Sequence, residues 1–363
     1  MLPIDACQEK MPTMLSIIVF IVLFSSMAPT MSQGVAPDLS PPMSHAVAID
    51  FSPLVKIYVN GTIERLIGKS SVPPSLDPKT GVQSKDVAIS RRRGISARLY
   101  LPNSVTNSTT NSTQSKLPLL VYFHGGGFCV EHASSPTYHN YLNSLVTAAN
   151  VVAVSVDYRL APEHPLPIAY QDSWAALNWV SSHFGGGNRS EEWLSRYADP
   201  QRVFFSGDSA GANIAHQMAM KLGSDRLNGF KLNGIVLVHP FFWGSQPVGA
   251  EATLPVVVSL YMTALWRFVN PTSFGPDDPL FNPTMDPKLR ELGCGKVLVF
   301  VAGKDALKDR GLYYGDVLKK SGWKGVVEVS ETKGESHVFH LFSPPNKNSE
   351  AMLEKIVSFL HQS

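Results

Sequence analysis

The chain has 363 residues, of which 44% are hydrophobic and 17% are charged, and its formal net charge is +2. This is an ordinary globular composition, and the length suits either two domains or one large α/β unit. The basic residues are dispersed except for Arg91–Arg93, which stand beside a glycine between two strand-like runs and are interpreted as a solvated turn. The charge pattern therefore argues against nucleic acid as a partner.

The N-terminal residues 1–32 contain an eleven-residue run, 14–24, that is apolar except for one serine. A run of this length is too short to span a bilayer but suits the core of a secretory signal, so no stable membrane span is expected. Asp5 and Glu9 precede the run, and a signal would begin with a positive segment instead. Residues 1–32 are thus either a signal or an extension, and residues 33–363 are predicted to form a single domain.

Sequons and cysteines also bear on the compartment. Four N-x-S/T sequences begin at Asn60, Asn107, Asn111 and Asn188, which would become glycosylation sites in the secretory pathway. Only three cysteines occur, and one of them, Cys7, would leave with a cleaved signal. The remaining two make no disulfide framework. The residues alone leave both secretion and the cytosol open.

Strand-like apolar runs alternate with helix-compatible segments along the rest of the chain. The predicted strands are 57–59, GISARLYL (94–101), VYF (121–123), NVVAVSVDY (150–158), RVFFSG (202–207), GIVLVHPFF (234–242), KVLVFVAG (296–303) and GVVEVS (325–330). The predicted helices are 167–184, 210–222, 308–320 and 349–362. Continuous apolar strands that alternate with helices predict a mostly parallel eight-stranded sheet with helices on both faces. The first two runs are expected to form its antiparallel entry.

One long insertion interrupts this alternation. More than fifty residues, aromatic and proline-rich, separate GIVLVHPFF from KVLVFVAG. Because ligands bind at the carboxyl ends of strands in open α/β sheets, the segments 40–75 and 245–295 are predicted to form a small helical cap there. Trp243, Tyr261 and Trp266 are candidates for the pocket wall. The alternative is an extra packed helix with no ligand contact.

The sequence FFSGDSAGANIAH contains the pattern G-x-S-x-G, from Gly207 to Gly211. A strand-like run precedes it and a helix-like run follows it, which is the setting of a nucleophile elbow. Ser209 is therefore the candidate nucleophile, and the Ala210 amide begins a helix whose N-terminus favours negative charge. The alternative is a glycine-rich turn with an incidental serine.

A second glycine-rich corner, His124 followed by three glycines, ends the strand VYF. Bare backbone can bring N–H groups close to the oxyanion that forms when a serine attacks a carbonyl. The predicted oxyanion hole comprises Gly125, Gly126, Gly127 and Ala210, with Gly126 and Gly127 preferred as donors and Gly125 shaping the turn. His124 is expected to orient the loop. The corner lacks the pattern of a phosphate-binding or dinucleotide-binding loop, so no cofactor is predicted.

A serine nucleophile in this kind of elbow is followed along the chain by an acid and then by a histidine. Asp305 comes directly after a buried strand and is favoured as the acid over Asp309, one helical turn later. His337 follows the last strand and is favoured as the base over His340. No metal site is predicted, because the chain has neither H-E-x-x-H nor clustered cysteine and histidine ligands.

Taken together, HGGGF, DYRLAPEHPLPIAYQDSWAALNWV, GDSAG, VAGKDALKDRG and HVFHLF resemble the plant carboxylesterases of the hormone-sensitive-lipase-like α/β-hydrolases. The resemblance runs from about Asp50 to the C-terminus and implies an α/β-hydrolase fold. It also implies Ser209, Asp305 and His337 as the triad, with the glycine loop and Ala210 as the oxyanion hole. Members of this family usually lack a signal, which favours the cytosol.

Three functions are consistent with this resemblance. The leading hypothesis is hydrolysis of a small carboxylic ester through an acyl-serine. The second is elimination or cyclisation of a specialised plant metabolite, with the histidine as base, as in related dehydratases. The third is a non-catalytic receptor like the gibberellin receptors of the same fold. Those receptors lack the catalytic histidine, whereas His337 is present here.

Overall fold

The computed structural model describes residues 46–106, 115–184, 191–342 and 345–362. The strands are β1 Val47–Phe51, β2 Val55–Tyr58, β3 Ile63–Arg65, β4 Gln83–Ser90, β5 Ile95–Leu101, β6 Leu117–Phe123, β7 Val152–Asp157, β8 Ala198–Asp208, β9 Leu232–Val238, β10 Lys296–Ala302 and β11 Val326–Thr332. The helices are α1 Asn103–Thr106, α2 Pro136–Ala149, α3 Ile168–Ser182, α4 Glu192–Tyr197, α5 Ala210–Ser224, α6 Val256–Val269, α7 Lys308–Lys320, α8 Phe339–Phe342 and α9 Lys347–His361. Short 3₁₀ turns occupy Gly249–Thr253, Pro283–Met285 and Leu289–Glu291.

Eight strands form the main sheet, in the order β11-β10-β9-β8-β6-β7-β5-β4. The six strands from β6 to β11 are parallel to their neighbours, and β5 and β4 add to the far edge as antiparallel strands. The prediction of a mostly parallel eight-stranded sheet is therefore confirmed. The loops that leave β6, β8, β9, β10 and β11 all emerge at one edge, because the carboxyl ends of parallel strands point the same way.

Helices cover both faces of this sheet. Successive residues of β6 belong to opposite cores: Leu119, Val121 and Phe123 pack on one side, and Leu120 and Tyr122 pack on the other. The first core contains buried residues of α3, α5 and α7, whereas the second contains those of α2 and α9. Burial on both faces explains why the central strands read as continuous apolar runs.

The antiparallel entry differs in part from the prediction. The run GISARLYL does form antiparallel strand β5, and Arg91–Gly94 make the turn before it. Residues 57–59, however, do not join the main sheet, because β2 pairs with β1 and β3 in a separate three-stranded sheet. The eighth strand of the main sheet is instead β4, QSKDVAIS. Its polar sequence suits an edge strand and gives little apolar signal.

The small sheet lies against the helix of the long insertion. The Phe51 ring packs at 5.9 Å from the Tyr261 ring and at 4.9 Å from the Phe268 ring, both on α6. An ideal Cβ on Gly127 would come within 2.8 Å of Leu54 Cδ1, so the turn after β1 covers the glycine-rich corner. We propose that β1–β3 and α6 together form the cap expected from segments 40–75 and 245–295. Half of it is therefore built from strands.

Helices α3, α5, α7 and α9 lie within two residues of their predicted bounds, and α2 was not predicted. In the part of the chain that the structure describes, no helix is both long enough and apolar enough to cross a bilayer. The apolar run 14–24 and the sequons at Asn107, Asn111 and Asn188 lie outside the described residues. Asn60 is exposed in the turn between β2 and β3.

Candidate active site

Ser209 stands between the end of β8 and the start of α5, with backbone angles of φ 51° and ψ −118°. A positive φ is uncommon for a residue with a side chain and marks a strained turn. The hydroxyl therefore lies at the carboxyl edge of a central strand, and the N-terminus of a fifteen-residue helix begins beside it. This is the geometry expected of a nucleophile elbow.

The two flanking glycines are required by close backbone approach. An ideal Cβ on Gly207 would lie 2.4 Å from the carbonyl of Gly211, and one on Gly211 would lie 2.0 Å from the carbonyl oxygen of Phe123. Real side chains do not tolerate such distances from backbone atoms. The G-x-S-x-G pattern thus has a steric cause, namely the tight crossing of β6, β8 and α5.

Asp305 and His337 meet after β10 and β11, the last two strands at one side of the main sheet. His337 Nδ1 lies 2.6 Å from Asp305 Oδ2, and the two side chains are 16% and 1% exposed. Burial by itself raises the pKa of Asp305, but the adjacent His337 lowers it below its usual value. Burial conversely lowers the pKa of His337, and the charge and hydrogen bond of Asp305 raise it above 6.5. Because Nδ1 faces the carboxylate, Nε2 is left to accept a proton.

Backbone hydrogen bonds connect the elbow to β9, the strand that lies between β8 and β10. The Ser209 N–H donates to the Val238 carbonyl at 2.9 Å, and the Phe241 N–H donates to the Ser209 carbonyl at 3.0 Å. The first of the two residues between them, His239, packs with its ring centroid 5.8 Å from that of His337. The segment that is bonded to the elbow therefore also carries a buried imidazole beside the proposed base, and sequence analysis did not single this residue out.

The glycine-rich corner follows β6, the other neighbour of β8. Gly126 and Gly127 adopt φ of 96° and 60°, which glycine alone takes readily. Within the described ranges, neither of their N–H groups makes a hydrogen bond, so both can serve as donors. His124 is buried, stacks on Tyr158 at 4.2 Å, and its Nδ1 lies 2.9 Å from the Gly125 carbonyl oxygen. These contacts support its expected part in orienting the loop.

Gly125 differs from the other two glycines. Its N–H already donates to Tyr138 Oη at 2.7 Å, so the structure does not leave it free as an oxyanion donor. An ideal Cβ there would lie 2.3 Å from Asp208 Oδ2. Gly125 is therefore a close-packing position, which matches the expectation that it shapes the turn, and Gly126 and Gly127 remain the candidate donors.

Asp208, the variable residue before Ser209 in the pattern, is a second group that sequence analysis did not single out. Its carboxylate accepts from Tyr122 Oη at 2.8 Å and from Tyr138 Oη at 2.9 Å. Burial raises the pKa of Asp208 to about 6, although the two tyrosine hydrogen bonds lower it. Since Tyr138 also holds Gly125, this carboxylate connects the elbow to the glycine-rich corner. The sequence signal that could have identified Asp208 is an acidic residue inside a turn motif that is expected to be buried.

The three aromatic candidates for the pocket wall have different positions. Trp266 has no exposed surface, stacks on Phe281 at 4.5 Å and donates from Nε1 to Ser273 Oγ. Trp243 is 3% exposed. Trp266 is thus a core residue, because a side chain without accessible surface cannot contact a ligand, and Trp243 is almost completely buried as well. Tyr261 is partly exposed and stays a candidate.

The alternatives to the favoured acid and base have other contacts. Asp309 Oδ2 accepts a hydrogen bond from the Ala250 N–H at 2.6 Å, which connects α7 to the long insertion between β9 and β10. The His340 ring packs edge-on against Tyr141, with centroids 5.0 Å apart. Neither residue takes part in the Asp305–His337 pair.

One spacing in this site would also suit a metal ion. A ligand atom from each of His239, Asp305 and His337 lies within 4.8 Å of the others. His337 Nδ1 already lies 2.6 Å from Asp305 Oδ2, and His239 Nδ1 accepts from the Val338 N–H, whereas His239 Nε2 has no hydrogen-bond partner among the described residues. The donor set is therefore compatible with a metal and equally with proton transfer, and a chelator separates the two.

Comparisons with known proteins identify the fold. A family model described as alpha/beta hydrolase fold matches residues 120–341. A hyperthermophilic esterase from the archaeon Pyrobaculum calidifontis superimposes with a TM-score of 0.61 and 28% identity, covering 77% of this chain and 85% of that one. The fold is thus that of the α/β hydrolases, with the elbow and the acid–base pair at the usual edge of the sheet.

Curated relatives narrow the class. Probable carboxylesterase 13 of Arabidopsis thaliana is 49% identical over 317 residues, which cover 85% of this chain and 96% of that protein. The 2-hydroxyisoflavanone dehydratase of Glycyrrhiza echinata is 47% identical over 322 residues, covering 85% and 94%. The chain belongs to the plant carboxylesterase family, as its motifs indicated.

Proposed function

We propose that this protein is a serine carboxylesterase that hydrolyses small carboxylic esters through an acyl-enzyme, with Ser209 as nucleophile, His337 as base and Asp305 as acid. The main observation that supports this proposal is the contact of 2.6 Å between His337 Nδ1 and Asp305 Oδ2, which lies at the same edge of the sheet as the strained Ser209 turn. The carboxylesterase and esterase relatives support the same activity. The receptor hypothesis loses support, because a hormone-binding site needs no such acid–base pair.

In the proposed reaction, Ser209 Oγ attacks the ester carbonyl carbon while His337 Nε2 takes the hydroxyl proton. The carbonyl oxygen becomes an oxyanion, to which the amides of Gly126, Gly127 and Ala210 donate. The bond from carbon to the alcohol oxygen then breaks, and the imidazolium returns the proton to the leaving alcohol. Water repeats the sequence on the acyl-serine, with His337 as base, and releases the acid. Asp305 stabilises the imidazolium throughout.

The decisive experiment compares wild type with Ser209→Ala on p-nitrophenyl butyrate. We expect the variant to lose nearly all turnover and to form no adduct with a fluorophosphonate probe. Ser206→Ala is a matched control, because Ser206 is buried in β8 and its Oγ has no hydrogen-bond partner among the described residues. Turnover by Ser209→Ala at the wild-type rate would rule out the acyl-serine route.

A second candidate is elimination of water from a specialised metabolite, which the 47% identical dehydratase supports. There His337 would remove a proton from carbon, and the amides of the glycine-rich corner would stabilise an enolate-like oxygen. The C–O bond on the neighbouring carbon would then break, and the imidazolium would return the proton to the leaving hydroxyl, which departs as water. No bond to Ser209 Oγ forms in such a reaction. Incubation with a 2-hydroxyisoflavanone therefore separates the candidates: dehydration that survives Ser209→Ala but not His337→Ala identifies a lyase.

A further inference from the structure

His239 lies at the carboxyl end of β9 in a left-handed conformation, with φ of 47°, and is 1% exposed. The preceding residue, Val238, and Phe241, two residues further on, are bonded to the backbone of Ser209 through the Val238 carbonyl and the Phe241 amide. Its own N–H donates to the Phe300 carbonyl at 2.9 Å, in the strand that leads to Asp305. The backbone of His239 is thus fixed to both the elbow and the strand of the acid.

The side chain of His239 reaches the third part of the site. Its Nδ1 accepts a hydrogen bond from the Val338 N–H at 2.8 Å, and Val338 directly follows His337. Val338 also has φ of 47°, which is unfavourable for a β-branched residue. A backbone in that conformation persists only where its surroundings hold it. The hydrogen bond to His239 is a specific contact that can hold it.

We propose that His239 is a positioning residue that sets the distance between the elbow and the catalytic imidazole, by holding the peptide that follows His337. The proposal rests on the proposed function. In that function the His239 side chain touches no substrate atom. It acts through the loop that carries His337 and Val338. Position matters because a displacement of about 1 Å from the productive geometry can cost on the order of a hundredfold in rate.

The chemistry of the ring suits this role. To accept from Val338, Nδ1 must carry a lone pair, so the proton resides on Nε2. Burial lowers the pKa of His239 to about 3; the Asp305 charge opposes this shift, and the neighbouring His337 adds to it. The His239 ring therefore stays neutral over the pH range in which His337 titrates. The charged or titratable groups that face it are Asp305, His337 and His340.

Two substitutions separate the acceptor from the bulk of the ring. His239→Asn keeps an acceptor oxygen close to the position of Nδ1 and tolerates a left-handed backbone. His239→Leu keeps apolar bulk but has no acceptor. His340→Leu is the matched control, because it removes a neighbouring imidazole whose two buried nitrogens make no hydrogen bond among the described residues.

The experiment measures kcat and KM on p-nitrophenyl butyrate for each variant, below its melting temperature. We expect His239→Leu to lower kcat at least tenfold with KM within about twofold, because misplacing the base affects chemistry more than binding. His239→Asn should retain kcat within about threefold, since the acceptor is the functional group. His340→Leu should stay close to wild type.

The outcomes are distinguishable from failure of the proposed function. Absence of Ser209-dependent esterase activity in the wild type would refute the function itself. If the wild type is active, a folded His239→Leu with unchanged kcat overturns the positioning role. If His239→Leu does not fold, the Asn variant still decides, because a tenfold loss of kcat in folded His239→Asn contradicts an acceptor role.

Discussion

The Nδ1 atom of His337 lies 2.6 Å from Oδ2 of Asp305, and the carboxylate is almost completely buried. The pair couples two titrations, because each partner stabilises the charged form of the other. Asp305 raises the pKa of His337 above 6.5 despite burial. A base must be neutral to accept a proton, so this shift has a direct effect on activity.

We predict that kcat/KM falls as the pH decreases through an apparent pKa above 6.5, which is the usual value for histidine. In Asp305→Asn the partner charge is lost, so the apparent pKa of His337 should fall while activity drops by up to about 10⁴-fold. Rate profiles of both proteins across the range from acid to mildly basic pH provide the measurement. If activity falls at the same acidic pH in both proteins, Asp305 does not determine the apparent pKa of the base.

The glycine-rich corner depends on a tyrosine. Tyr138 Oη donates to Asp208 and accepts from the Gly125 N–H, so Tyr138→Phe removes two buried hydrogen bonds. We expect this change to reduce the free energy of unfolding by roughly 1–3 kcal/mol for the groups left without partners. We also expect kcat to fall more than KM changes, because Gly125 directly precedes the two proposed donor amides and its own N–H is held by Tyr138.

A matched control for this prediction lies on the same helix. Tyr141 is on α2 too, but its Oη has no hydrogen-bond partner in the described part of the chain. Tyr141→Phe should therefore leave kcat unchanged and should not reduce stability. Chemical denaturation and steady-state kinetics of the two variants test the pair, and equal effects in both would contradict a specific role for Tyr138.

The cluster of His239, Asp305 and His337 predicts inhibition by a transition metal. Zn²⁺ prefers imidazole and carboxylate ligands, so it should compete with protons for this site and lower esterase activity. EDTA added afterwards should restore the rate, and EDTA alone should leave it unchanged. The opposite pattern, loss with EDTA and recovery with Zn²⁺, would make this a metalloenzyme.

The insertion is anchored by a buried ion pair. Arg310 on α7 donates to both carboxylate oxygens of Glu251, at 3.0 Å and 2.5 Å, and the side chains are 2% and 1% exposed. Removing one partner leaves an uncompensated buried charge, so Arg310→Met should cost about 3–5 kcal/mol of unfolding free energy. The double variant Glu251→Leu/Arg310→Met should recover much of that loss.

An exposed pair serves as control for this prediction. Arg196 and Glu192 are 66% and 68% exposed on α4, and such pairs contribute under about 1 kcal/mol. Arg196→Met should therefore be nearly neutral in a urea titration. Comparable losses in Arg196→Met and Arg310→Met would show that burial of the Arg310 pair is not what stabilises the insertion.

Local patterns were enough for much of this fold. The central strands are apolar throughout because both their faces are buried, and the predicted helix 308–320 matches α7. The glycines on either side of Ser209 predict a tight turn, because only glycine allows the backbones of β6, β8 and α5 to cross so closely. Such features depend on neighbours within a few residues, and one sequence contains that information.

Tertiary structure decided which distant segments pair. Strand β4 has a polar edge sequence without a burial pattern, whereas residues 57–59 look strand-like but pair outside the main sheet. Asp208 and His239 were missed for the same reason. Their partners, Tyr138 and Val338, lie 70 and 99 residues away along the chain. Hydrogen bonds of that range form only when the chain is folded, so no local pattern encodes them.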